Sequence, residues 1–173
     1  MELIETKTLG TAAASIEFTS IPQDFTDLYL LVNCRSARTG VAFDSLHMYF
    51  NNVTTNFSNR TLFGSGTLAE SFAGNNPFVG ESPAANATGN TFSNASVYVP
   101  NYSGNTNKSY SVDSVPENNA TVTNINLGAH LWSNTAAITS IKFEHLSGNN
   151  LVAGSTISLY GILKGSDGIV TTS

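Results

Sequence analysis

Three histidines offer this chain's best prospect for acid–base or metal chemistry: His47, His130 and His145. An imidazole titrates near neutral pH and is a common zinc ligand, but a metal site needs several ligands converging on one point. No HxH or HExxH spacing joins these residues to each other or to a carboxylate, and each falls in a different strand-like run. The expectation is three half-buried strand histidines and no metal centre. The single cysteine, Cys34, excludes an internal disulfide framework. It lies in DLYLLVNCRS, an apolar run in which a free cysteine behaves as a small hydrophobe. Arg35 beside it points to the opposite face of a strand, so the thiol lacks the cationic, accessible setting that makes a nucleophile.

Other reactive constellations fare no better. A serine hydrolase of the nucleophile-elbow type needs GxSxG, and FGSGT at Phe63–Thr67 has the wrong spacing. Glycosidase work needs two carboxylates facing across a cleft. The candidates are Asp24, Asp27, Asp44, Glu70, Glu81, Asp113, Glu117 and Glu144, most of them in turn-like or exposed positions where solvation is the simpler account. GSDG at Gly165–Gly168 holds one carboxylate, far short of a calcium cage. No glycine-rich phosphate loop precedes a helix. The expectation is a chain without catalytic residues, cofactor or metal.

Aromatic side chains give a binding alternative. Trp132, Tyr49, Tyr98, Tyr102 and Tyr110 could form a sugar platform, with asparagine amides supplying paired hydrogen bonds; Trp132 and Tyr102 are the contacts to test. Against this, Trp132 stands at the end of a strand, where a tryptophan capping the core is at least as good a reading. Eight N-x-S/T triplets, starting at Asn52, Asn56, Asn59, Asn86, Asn94, Asn101, Asn107 and Asn119, arise from composition and are expected to be unmodified.

The elements that must position these residues are strands. Helical periodicity is almost absent, while short apolar runs separated by turn residues recur. Strands are predicted at Leu3–Leu9, Ser15–Ile21, Asp27–Arg35, Ser45–Asn51, Ala95–Asn101, Lys108–Val115, Val122–Trp132, Ile138–Leu146 and Ser155–Leu163. Nine strands with no intervening helix predict one all-β domain over residues 1–173, an antiparallel, jelly-roll-like β-sandwich. SGNNLVAGS is expected to be a hairpin turn joining the last two strands. Residues 52–91 form a long irregular excursion, but one that carries Phe57, Leu62, Phe63, Phe72, Phe78 and Val79. A disordered linker does not use apolar residues so freely, so these six are the expected contacts of an arm that docks on its own sandwich or on a neighbouring subunit.

Composition narrows the function class. Of 173 residues, 40% are hydrophobic, enough for a real core, yet only 11% are charged, against about 25% in ordinary domains. Asn, Ser and Thr fill the gap, a surface suited to residence in an assembly. Net charge is −5 with seven scattered Lys and Arg, which gives no footprint for nucleic acid and no polybasic membrane patch. MELIETKTLG has no signal-peptide or transmembrane pattern, which predicts synthesis and folding in a cytoplasm.

One resemblance draws these strands together. LIETKTLGTAAASIEFTSIPQDFTDLYLLVNCRSAR resembles the opening of a widespread type of small virion protein in tailed phages. YFNN at Tyr49–Asn52, VPNYSG at Val99–Gly104 and LWSNTAAITSIKF at Leu131–Phe143 agree with it, and NNLVAGSTISLYGI looks like that family's closing hairpin. Residues 52–91 are the least alike. The resemblance implies a structural or adhesive piece of the particle: a head decoration protein, a head fibre or a tail-fibre domain, with no catalytic residues to carry over. The absence of heptads, shaft repeats or a second domain favours the capsid exterior. The expected partners are further copies of the chain, as a trimer, and the major capsid protein. The alternative is a tail-fibre or tailspike module that grips a host surface glycan.

Overall fold

Period-two burial defines the elements. In Asp27–Asn33, Leu28, Leu30 and Val32 are fully buried, while Asp27, Tyr29, Leu31 and Asn33 are half-buried or exposed, as alternation across a pleated strand requires. The computed structural model describes residues 1–116 and 123–163. There the regular elements are twelve strands: β1 (Glu2–Thr8), β2 (Ser15–Phe18), β3 (Asp27–Asn33), β4 (Phe43–Phe50), β5 (Phe57–Gly64), β6 (Ala69–Gly74), β7 (Phe78–Pro83), β8 (Asn94–Pro100), β9 (Lys108–Val115), β10 (Ile125–Trp132), β11 (Ile141–His145) and β12 (Thr156–Ile162). Glu117, the Asn119 triplet and the Gly165–Gly168 turn lie outside the described residues.

The strands form two antiparallel sheets, β1-β12-β3-β8-β9-β10-β5-β6 and β2-β11-β4-β7. The pairings β1–β12, β2–β11, β3–β8 and β4–β7 nest inside one another, early strand with late strand. That nesting is a jelly roll: a long double strand wound so that successive turns fall in alternate sheets. Two hairpins, β5–β6 and β9–β10, are inserted into it. Both add to the same edge of the first sheet, beyond β8, making eight strands that face four.

The core lies between the sheets. Ile16, Phe18, Met48, Phe50, Ile141 and Phe143 from the small sheet meet Leu28, Leu30, Val97, Val99, Ile157 and Leu159 from the large one. At the start of the extension Trp132 packs against Phe50 and Phe57, with ring centroids 5.5 and 6.1 Å away. Gly161 lets Phe25 lie on β12, since a Cβ there would sit 2.3 Å from the ring.

Each of the nine predicted strands corresponds to a strand of the structure. Residues 52–91, expected to be an irregular excursion, instead contain β5, β6 and the edge strand β7. The expected closing hairpin is also corrected. β11 belongs to the small sheet and β12 to the large one, so the segment between them crosses the sandwich. Buried Leu151 anchors that crossing through backbone hydrogen bonds with Ala13, the amide of Leu151 donating at 2.8 Å and accepting in return at 3.0 Å.

Candidate functional site: a trough on the outer face of the large sheet

Antiparallel register brings one residue from every strand of the large sheet into a single line: Leu3, Tyr160, Tyr29, Tyr98, Ser111, Ala129, Arg60 and Ala73. All point away from the core. Two residues along, a second outward row reads Thr6, Ser158, Leu31, Ser96, Asp113, Leu127, Leu62 and Ser71. From β3 to β6 these rows line a trough of 860 Å³. Six strands at about 4.8 Å spacing make it roughly 24 Å across.

The trough is apolar where a solvated sheet face would be polar. Within it Leu62 is 60% exposed and Leu127 45%, and beyond its lining Ile125 (45%) and Leu31 (39%) extend the outward apolar surface. Scattered surface leucines need no explanation, but a contiguous patch on a concave face marks an interaction site. Charge enters only through Arg60 and Asp113, which flank β10 on either side. Among the described residues neither has an ion-pair partner, and the Arg60 guanidinium donates to the neighbouring Asn59 carbonyl at 2.8 Å. Tyr98 is held by its hydroxyl, which donates to Asp27 Oδ2 at 2.9 Å, while the Asn101 amide donates to Oδ1 at 2.9 Å. Desolvation and that carboxylate push the Tyr98 phenol above its usual range, so the site presents a fixed neutral ring.

The groups suited to acid–base chemistry lie elsewhere and are occupied or buried. Burial lowers His47 to about 4 against the opposing pull of Glu144. Burial likewise lowers His130 to about 4, where its ring stacks on Tyr110 at 4.6 Å. His145 is lowered by burial despite the nearby Asp44. For Asp44, burial acts upward, but hydrogen bonds from Ser147 (2.6 Å) and Ser36 (2.7 Å), with His145 and Arg38 nearby, outweigh it and hold the carboxyl below its ordinary range. Burial pushes the Cys34 thiol up, away from the reactive thiolate. Glu144 pairs with Lys142 at 3.0 Å. Among the described residues no three of His, Cys, Asp and Glu come together as a metal site would require.

The residues singled out from sequence divide into three groups. Phe57 and Val79 are core residues, and Phe57 cannot serve an arm because it stacks on Trp132. Leu62 lines the outer trough. Phe63, Phe72 and Phe78 line a smaller cleft beside the edge strand β7, with Phe72 also at the trough's rim. Trp132 and Tyr102 are fully buried, the Tyr102 hydroxyl donating to the Pro22 carbonyl, so neither offers a face to a sugar. Tyr110 is buried too; of the proposed platform, Tyr98 alone reaches the trough. Tyr29, Arg60 and Leu127 are the residues sequence reasoning missed, and Asp113 was weighed there only as a candidate carboxylate. The outward phase of Tyr29, Asp113 and Leu127 was readable from their strands, but Arg60 lies in a stretch where no strand was expected, and the alignment of all four depends on the order of the strands.

No protein-family model matches this chain, and no curated protein does. Among solved structures, a leech intramolecular trans-sialidase complexed with 2,7-anhydro-Neu5Ac aligns at 10% identity and a TM-score of 0.31. The alignment covers 98% of this chain and 28% of that one, a likeness too slight to carry an argument.

Proposed function

We propose that this protein is a structural virion protein of a tailed phage, of the capsid-decoration type, cement or head fibre. In this reading it oligomerises and docks on the outer surface of the major capsid shell, reinforcing it. The observation that supports this best is the outer trough: an exposed, concave and largely apolar surface with one cation and one anion to fix register. Such a face fits a convex protein segment, and stable association of this kind buries about 1,600 Å² in total. The charge-poor composition and the sequence resemblance point the same way. Repetition by the shell's symmetry would make many modest contacts effectively irreversible.

The test is co-sedimentation of purified protein with empty capsid shells. Wild type is expected to pellet with the shells and to stabilise them against heat, while a Leu62→Asp, Leu127→Asp double variant stays in the supernatant. Equal pelleting of wild type and variant would remove the trough from the account. The alternative, a tail-fibre or tailspike module that binds host glycan, keeps one specific support: the rings of Tyr29 and Tyr98 lie in the trough beside Ser96 and Ser111. A glycan array in which wild type binds and Tyr98→Ala does not, with no binding to shells, would favour it.

A further inference from the structure

The large sheet is four strands wider than the small one, so its β5–β6 hairpin overhangs the edge strand β7. Beneath the overhang is a cleft of 330 Å³, distinct from the outer trough, within the size range of small-molecule sites. Phe63 and Phe72 descend into it from β5 and β6, and Phe78 rises from β7. Phe72 and Phe78 meet edge to face at 5.9 Å. Two carboxylates, Glu70 and Glu81, share the cleft, and among the described residues no Lys or Arg lines it. Glu81 is held in place by the Asn124 amide, which donates to Oε2 at 2.9 Å. His47, the one other titratable group there, is uncharged at neutral pH because burial lowers it to about 4.

Asn126 supplies an independent observation. Only 2% exposed, it borders this cleft, and its Nδ2 has no hydrogen-bond partner among the described residues. A buried amide donor of this kind is destabilising unless something accepts its hydrogen bond. Three aromatic rings, two carboxylates and a free amide donor describe one kind of guest. Aromatic faces and carboxylates attract an organic cation, and the amide calls for an oxygen a short distance from the positive centre. A bare metal ion fits poorly, since aromatic rings are not oxygen or nitrogen ligands.

We propose that the β5–β6/β7 cleft binds an alkylammonium cation that carries a nearby oxygen, such as choline. The site is separate from the outer trough and does not depend on the function proposed above. The test is an NMR titration of the full ¹⁵N-labelled chain at low salt with two probes, choline and Nα-acetyl-lysine methylamide. The control is the uncharged isostere of choline, in which carbon replaces the quaternary nitrogen. Saturable shifts centred on Phe72 and the Asn126 side-chain amide are expected with a cation and not with the isostere. Glu70→Gln and Phe72→Ala, both at exposed positions, are each expected to weaken binding about tenfold, while Leu127→Ser in the trough leaves it unchanged. Stronger binding of choline than of the lysine analogue, which has no oxygen beside its ammonium, supports the proposal; equal or stronger binding of the lysine analogue overturns it. Absence of saturable shifts, equal binding of the isostere, or indifference to both cleft substitutions overturns the proposal.

Discussion

Replacing Arg35 by Met tests how the chain holds the connection between β7 and β8. The Arg35 side chain is buried and meets only neutral oxygens. Its Nη1 donates to Thr88 O (2.7 Å), Thr91 O (3.0 Å) and Thr91 Oγ1 (3.1 Å); its Nη2 donates to Ala84 O (2.8 Å) and Ala87 O (3.2 Å). Two of the four carbonyls have other donors: Ala84 O accepts from the Ala87 amide, and Thr88 O from the Thr91 hydroxyl. Loss of the guanidinium therefore orphans chiefly the carbonyls of Ala87 and Thr91. Each buried orphan costs about 1–3 kcal/mol, or roughly 2–6 kcal/mol together.

Two effects reduce that figure. Methionine keeps the apolar stem, and the folded state no longer carries a desolvated cation, a burden that can rival the gain from its hydrogen bonds. The net expectation is a loss of about 2–4 kcal/mol. Urea denaturation at pH 7 measures it. With an m-value of about 2 kcal/mol/M, the midpoint should fall by about 1–2 M without a change in m. Arg35→Lys, with three donors on a point charge in place of a planar fork of five, should recover only part of the loss. A fall of less than about 0.5 M for the methionine variant, or a rise, would refute the reasoning, because desolvation would then outweigh the five hydrogen bonds.

Acidification should destabilise the protein well before its carboxylates are protonated. His47 and His130 are held near 4 when folded and return to about 6.5 when unfolded, so stability is full above that value and declines as pH falls through the folded pKa. Each contributes up to about 3 kcal/mol; the depressed Asp44 extends the decline below its ordinary value of 3.8. Equal thermal midpoints at pH 7 and in the acid half of this window would contradict the burial assigned to the histidines. Gly80→Ala is expected to cost more than an ordinary surface substitution, about 3 kcal/mol or more. Gly80 holds φ at +142°, and a Cβ would lie 2.2 Å from Ser114 Oγ across the sheets; a variant as stable as wild type by urea titration would mean that β7 and β9 can part freely.

How much of this was legible in the sequence depends on how faithfully each strand alternates. β3, β4 and β12 bury a residue at every second position against the core, and the density of apolar residues along them made them legible. β5 is harder to see because its inward residues are Phe57, Asn59, Thr61 and Phe63, half of them polar. β6 is an edge strand with little burial at any position, so it shows no alternation. Trp132 illustrates the opposite case. Its type suggested a ligand platform as readily as a core cap, and the tie was broken only by the stacking partner Phe57, contributed by a stretch in which no strand was expected. The three-tyrosine line could not be foreseen, since Tyr29, Tyr98 and Tyr160 are adjacent only once β3 is known to lie between β8 and β12.

The same two insertions that obscure the pattern supply most of the lining of the outer trough and of the cleft. In the nested half of the jelly roll every strand has a counterpart across the core, and its inward positions are almost wholly aliphatic or aromatic. Beyond β9, which β7 still faces, the counterparts run out. There the inner face carries Asn59, Thr61, Asn126 and His130 in place of leucines, and several of their polar atoms find no partner among the described residues. Replacing a core with under-satisfied polar groups lowers stability and is unlike the rest of the molecule. The outer face of the same strands departs in the other sense, exposing Leu62, Ile125 and Leu127 to solvent. A folding requirement explains neither departure, because each would be improved for folding by exchanging the two faces' chemistry. Both become favourable if something external covers the trough and fills the cleft, which is the binding reading proposed above for β5, β6, β9 and β10.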